Sequence, residues 1–163
     1  PQEFMKEYNI SKLNLPFLVI KGRKELKKKI QDIQPFDNLV SILEELKKHN
    51  LKLGILSSNS QNNIHNFLKN NNINHLFDFI YNGKNLFGKS TKIRKIIKEQ
   101  GIKSQEMLMV GDETRDIEAA QKINVKIAAV SWGFNKREVL QKLNPNFIAD
   151  KPEDLLNYAI HLL

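Results

Sequence analysis

The 163-residue chain contains no cysteine. That excludes disulfides, thiolate metal sites and a cysteine nucleophile, and it leads to the expectation of a cytoplasmic protein. No apolar run approaches the roughly 20 residues needed to span a bilayer, so no membrane segment is expected. The chain opens Pro1-Gln2-Glu3-Phe4-Met5. No basic patch leads into an apolar stretch there, so a signal peptide is not expected. An initiator methionine is also lacking, which suggests a fragment or a chain whose beginning lies elsewhere. Internal repeats and low-complexity linkers are absent. Lys and Arg outnumber Asp and Glu by 26 to 18, a formal charge of +8. The lysines are scattered along helical stretches, as at Lys47-Lys48, Lys92 and Lys95. No basic-aromatic cluster accompanies them, so no nucleic-acid partner is expected.

What is present is a regular alternation from Phe36 onward. Asp37 can cap a helix carrying Leu39, Val40, Leu43 and Leu46 at helical spacing. A short apolar strand over Lys52 to Leu56 stops at Ser57-Ser58-Asn59-Ser60. The next helix places Ile64, Phe67 and Leu68 on one face and dies in Asn70-Asn71-Asn72. There follow a strand over Phe77 to Tyr81, a helix over Ser90 to Gln100 with Gly101 as its stop, and a strand over Met107 to Val110. After Gly111-Asp112-Glu113 comes a helix through Ile117, Ala120 and Ile123. A strand Lys126 to Val130, a short helix Lys136 to Leu143, a strand Phe147 to Ala149 and a helix Pro152 to Leu162 close the pattern.

Such alternation demands an α/β fold: a three-layer, Rossmann-like, mainly parallel sheet with helices on both faces, each strand buried on both sides. Ligands bind such sheets beyond the carboxyl ends of the strands. The residues there are polar in turn: Ser57-Ser58-Asn59, Asn82-Gly83, Gly111-Asp112-Glu113 and Ser131. Residues 1–34 differ, with a lysine-rich helix over Lys24 to Ile30 after Pro16-Phe17-Leu18-Val19-Ile20. They read as the end of a small helical insertion and its linker, with the sheet domain over 35–163.

Three strand ends carry the chemistry. Ser57-Ser58-Asn59 offers hydroxyls and backbone amides beside a helix start, where phosphate oxygens can sit. Lys89 enters a helix after Asn82-Gly83. In Gly111-Asp112-Glu113-Thr114-Arg115-Asp116, two carboxylates four residues apart straddle a strand-to-helix turn. Such hard oxygen ligands suit Mg²⁺. Asp and Ser also cap helices, and a lone lysine is ordinarily a surface charge. The four histidines, His49, His65, His75 and His161, have no ligand spacing, and Trp132 reads as a packing anchor.

The order Ser58, Lys89, then Gly-Asp-Glu-Thr-Arg-Asp followed by Ile117-Glu118-Ala119-Ala120 resembles the haloacid dehalogenase superfamily. The tail Val130-Ser131-Trp132-Gly133-Phe134, with Pro145 to Leu155 behind it, is similar to the phosphoglycolate-phosphatase branch. This resemblance implies a Mg²⁺-dependent phosphatase acting on a small phosphorylated metabolite through an aspartyl-phosphate. It implies that Ser58 holds a phosphoryl oxygen with the Asn59 amide nearby, Ser57 being the alternative register. Lys89 would neutralise the phosphoryl group and the attacking carboxylate. Asp112 would bind Mg²⁺ directly, and Asp116 would support it through water or by holding Lys89. The family's nucleophile lies in an Asp-x-Asp-x-Thr element on the first strand, and no Asp-x-Asp occurs in these residues. The 163 residues by themselves are therefore expected not to turn over.

Two other readings compete. Gly83-Lys84-Asn85-Leu86-Phe87-Gly88-Lys89-Ser90 matches the P-loop pattern between a strand and a helix, although Leu86 and Phe87 would crowd a phosphate-wrapping loop. A non-catalytic binding module of the same fold is the second, since fold alone does not settle function.

Overall fold

The computed structural model describes residues 29–30, 32–82 and 88–162. The expected insertion helix and most of the P-loop pattern, 83–87, lie outside the described residues. In chain order the elements are α1 (Leu39–Lys48), β1 (Gly54–Ser57), α2 (Gln61–Asn70), β2 (Phe79–Asn82), α3 (Lys89–Gln100), β3 (Leu108–Gly111), α4 (Thr114–Gln121), β4 (Lys126–Val130), α5 (Arg137–Gln141), β5 (Phe147–Ala149) and α6 (Pro152–His161). Single 3₁₀ turns occupy Asn74–Leu76 and Ser104–Glu106.

The residues gather into two compact units. One takes the described residues up to Gln34 with Gln61–Asn74; the other takes Pro35–Ser60 and His75–Leu163. In the smaller unit, α2 buries Ile64 and Leu68, and Ile30 and Ile73 are buried as well. There Asn71 Nδ2 donates to the Ile33 carbonyl at 3.2 Å and the Phe67 carbonyl at 2.9 Å.

Among the described residues the larger unit holds every strand, and every pairing is parallel: β1 with β2, and β3-β4-β5 in that order. The odd and even residues of β3 and β4 feed two different cores, as period-two alternation requires. Met109, Ile127 and Ala129 pack with Ile93 of α3, Ile117 and Ala120 of α4 and Leu140 of α5. Ala128, Val130 and Ala149 pack with Leu155 of α6, and Leu108 joins Ile42 and Leu46 of α1 with Ala159 of α6. Helices thus cover both faces, giving the three-layer mixed α/β architecture. Leu56 of β1 reaches the first of these cores and Leu53 the last, so the two sheets share their packing.

Helix termination explains why so few glycines suffice. The non-glycine residues described with positive φ are all asparagine: Asn38, Asn50, Asn72, Asn124 and Asn144. Asparagine tolerates the left-handed region better than other residues with a Cβ. After Asn50, Asn72 and Asn124, the next amide reaches back five residues: Leu51 to Leu46, Ile73 to Leu68, and Val125 to Ala120. Gly101, at φ 65, does the same through Ile102 and Ile97. Each is a Schellman stop, and each is followed by an apolar residue that seals the helix end.

Three expectations are corrected. Asn38, not Asp37, is the N-cap of α1, with φ 61. Strands β1 and β2 begin two residues late, because the Asp78 side chain stands in for a strand neighbour: its Oδ2 accepts the Leu53 amide at 2.7 Å while its own amide donates to Leu53 O at 2.8 Å. Burial on both sides holds for β4 but not for β3, where Val110 is 45% exposed. Among the described residues, α1 and α6 cover Leu108, but their packing does not extend two residues further along that face to Val110.

Candidate active site

β3 runs out at Gly111, and the chain turns through Asp112 and Glu113 into α4. The turn is tight because Asp116 folds back onto it: a Cβ on Gly111 would lie 2.5 Å from the Asp116 Cβ and 2.6 Å from its Oδ2. Asp116 occupies the first turn of α4, where a carboxylate complements the positive end of the helix dipole. It is buried, at 3% exposure, and its Oδ1 accepts a hydrogen bond and ion pair from Lys89 Nζ. Lys89 is the first residue of α3, on the segment that follows β2. The pair therefore ties the carboxyl end of the β1-β2 sheet to that of the β3-β4-β5 sheet.

Asp112 is held from the other side by the segment that follows β4. Phe134 N donates to Asp112 Oδ2 at 2.8 Å, and Asn135 N donates to the Asp112 carbonyl at 3.0 Å. Asn135 Oδ1 accepts the Thr114 amide at 3.1 Å, satisfying one of the donors left open at the start of α4. Gly133 lies flat against the carboxylate; a Cβ there would come within 2.2 Å of the Asp112 Cβ. Trp132 packs against the Ala128–Val130–Ala149–Leu155 cluster. Among the described residues no donor other than Phe134 N reaches the Asp112 carboxylate, so Oδ1 is open.

At the end of β1, Ser57 pairs in register with Asn82. Ser57 Oγ accepts the Asn59 amide at 3.1 Å, so that amide, expected on a phosphoryl oxygen, is engaged locally. Ser58 is exposed and, among the described residues, makes no hydrogen bond to Lys89, Asp112 or Asp116. The structure thus brings Lys89, Asp116 and Asp112 together around one turn. It leaves Ser57, Ser58 and Asn59 at the corresponding end of their own sheet. Gly133, Phe134 and Asn135 were missed as holders of Asp112 by sequence reasoning; only the small residue beside Trp132 hinted at a close approach.

The donor set is hard oxygen, which fits Mg²⁺ in kind, and such an ion commonly takes one or two carboxylates plus waters and substrate oxygens. Asp112 Oδ1 suits one such position. Among the described residues no group of three or more carboxylates or imidazoles could enclose an ion.

Residues 1–130 match the family model for haloacid dehalogenase-like hydrolases. The chain belongs to that family. Among curated relatives of this hydrolase family, it is 35% identical over 131 residues to the phosphoglycolate phosphatase of Synechococcus elongatus, covering 80% of this chain and 62% of that one. It is 30% identical over 127 residues to the pyrophosphatase PpaX of Bacillus cereus, covering 76% and 59%. A solved haloacid dehalogenase-like hydrolase from Streptococcus pneumoniae superposes with a TM-score of 0.82 at 26% identity, over 97% of this chain and 76% of that one. The chain spans about three fifths of the length of the curated relatives it matches. Among the described residues, no helix is long and apolar enough to cross a membrane.

Proposed function

We propose that this chain is the core of a Mg²⁺-dependent phosphomonoester hydrolase of the haloacid dehalogenase type, similar to phosphoglycolate phosphatase, acting through an aspartyl-phosphate. The observation that carries the reading is the Lys89 ammonium held by buried Asp116 against the turn that presents Asp112. Phosphoryl transfer is catalysed chiefly by positioning and by neutralising charge, and this arrangement supplies both. Asp116 fixes Lys89, whose remaining N–H donors would meet a phosphoryl oxygen and the attacking carboxylate. Asp112 would bind Mg²⁺ through Oδ1. The bound ion would add charge neutralisation at the phosphoryl oxygens. The Ser58 hydroxyl would donate to another phosphoryl oxygen; Ser57 Oγ accepts the Asn59 amide and keeps its own O–H, so it stays the alternative donor.

The attacking aspartate would come from a strand outside these residues. Among the described residues β1 pairs only with β2, and β3 pairs only with β4. One further parallel strand between β1 and β3 would join the two sheets and bring its carboxyl end beside Lys89, Asp112 and Ser58. Residues 1–34 would be the end of a helical cap and its linker, and 35–163 the core. The cysteine-free composition favours the cytoplasm.

The test is turnover of the full protein on a panel of phosphomonoesters that includes 2-phosphoglycolate, and on the anhydride pyrophosphate, with and without Mg²⁺. Release of phosphate that needs Mg²⁺ and is lost in Asp112→Asn supports the reading. Turnover unchanged by Asp112→Asn removes Asp112 as a ligand. No turnover on any ester, together with tight ATP binding by calorimetry, favours the nucleotide-binding alternative.

A further inference from the structure

Beyond the turn itself, a second carboxylate controls the segment that grips Asp112. Ser131 Oγ donates to Asp150 Oδ1 at 2.8 Å, and Arg137 Nη1 donates to Asp150 Oδ1 and Oδ2, each at 2.7 Å. Ser131 N also donates to the Ala149 carbonyl at 3.0 Å, continuing the β4-β5 ladder by one bond. Ser131 and Arg137 are the two ends of the stretch whose middle carries Gly133, Phe134 and Asn135. Asp150 therefore closes that stretch into a loop at its base, while the apex clasps Asp112 by its carbonyl and one carboxylate oxygen.

We propose that Asp150 is a positioning residue for Asp112, acting through the Ser131–Arg137 loop whose two ends it holds. Resting on the reading of Asp112 as a cation ligand, the proposal gives the clasp a chemical purpose. A carboxylate on a turn can rotate and offer either oxygen. The Phe134 N–H occupies Oδ2, and a Cβ on Gly133 would lie 2.4 Å from that same oxygen, so Oδ2 is the enclosed one and Oδ1 is left to bind. Metal-binding carboxylates are characteristically oriented by a hydrogen bond to the oxygen that does not bind, and losing such partners weakens metal affinity. Here the partner is a backbone amide, which side-chain substitutions other than proline leave in place; its position is set by what holds the loop. The Ser131 hydroxyl, then the Arg137 guanidinium, keep the Asp150 carboxyl below the usual carboxylate range, so the anchor is charged at neutral pH.

Exposure separates positioning from stability. The Arg137 and Asp150 side chains are 44% and 56% exposed. Ion pairs so exposed contribute little to global unfolding. Substituting Asp150 is therefore expected to loosen the loop without melting the domain.

The experiment uses the full chain with Mg²⁺ alone as probe, comparing the parent with Asp150→Ala, Asp150→Glu and Arg137→Met. Three quantities are read: amide hydrogen exchange at Phe134 and Asn135, the Mg²⁺ dissociation constant by calorimetry, and the urea midpoint. In Asp150→Ala, exchange at both amides should quicken about tenfold and Mg²⁺ should bind about three- to tenfold more weakly, with the midpoint unchanged. Arg137→Met should show a smaller effect of the same sign, and Asp150→Glu should recover part of it. Unchanged exchange at Phe134 in both Asp150→Ala and Arg137→Met overturns the proposal, as does faster exchange with Mg²⁺ affinity intact. If the parent binds no Mg²⁺, the reading of Asp112 as a ligand fails instead. Exchange at Phe134 then decides the clasp by itself: quickened, it upholds Asp150 as the anchor; unchanged, it removes it.

Discussion

Replacing Lys89 by methionine tests the centre of the site without any assay of activity. The Asp116 side chain is 4% exposed and that of Lys89 is 21%, and among the described residues Lys89 is the only ion-pair partner of Asp116. Methionine keeps much of the stem's apolar packing, so the loss is electrostatic. Removing one partner of a fully buried pair costs about 3–5 kcal/mol, because the other charge stays out of water uncompensated. The partial exposure of Lys89 reduces that, and we expect about 2–4 kcal/mol at pH 7. For a domain of this size, each kcal/mol moves the thermal midpoint by about 2–4 °C, so a fall of roughly 4–16 °C should appear. Urea unfolding would give the free energy directly, with an unaltered slope showing that the denatured state is the same. The decisive comparison is the double variant Lys89→Met with Asp116→Ala. If the damage comes from a stranded carboxylate, removing that carboxylate should restore part of the stability, making the two changes strongly non-additive. A loss below about 1 kcal/mol in Lys89→Met, or simple additivity in the double variant, would refute the argument that burial of this pair holds the turn.

Other outcomes follow from the same contacts. Leu140 is fully buried where α5 meets the sheet, and Leu140→Ala should cost about 2–4 kcal/mol in chemical unfolding; a near-neutral change would mean that α5 does not seal that core. Gly54 lies beneath the Phe79 ring, whose Cε2 would be 1.9 Å from an added Cβ, so Gly54→Ala should cost about 1–3 kcal/mol as the ring is displaced, read by the same titration. The Lys47 ammonium, then the Leu53 amide, hold the Asp78 carboxyl below its ordinary range. A depressed folded-state pKa contributes stability above the unfolded value of about 3.9 that is lost as pH falls toward the lowered one. The stability gap between the parent and Asp78→Asn should therefore be widest at neutral pH and close on acidification below about 4; a gap constant to pH 2 would exclude this linkage.

Much of the architecture was legible in the residues alone, for a local reason. Strands β4 and β5 and the start of α6 at Pro152 were readable to the residue, because the apolar runs are bounded by strong stops. Gly101 and the Asn70-Asn71-Asn72 run are legible as such stops, while Asn50 and Asn124, which take up the same left-handed conformation, are recognised only in the structure. Less legible were the starts of β1 and β2. Their first residues are joined through the Asp78 side chain, and no periodicity within either strand records a contact 25 positions away. The exposure of Val110 was hidden for a similar reason: it depends on where α1 and α6 stop covering the sheet, not on the sequence of β3.

The candidate site divides in the same way. By themselves the residues determined an alternating α/β chain and a polar rim at the strand ends, and the family resemblance pointed to Ser58, Lys89, Asp112 and Asp116 there as the groups proposed to handle a phosphate and a cation. Only the tertiary structure decided how these divide their work. It gave Asp116 to Lys89, enclosed one oxygen of Asp112 with the Phe134 amide, and spent the Asn59 amide on Ser57. Local sequence sets backbone conformation through propensity and spacing, whereas the partner of a carboxylate depends on which distant segment packs beside it. That packing is settled only when the whole core closes.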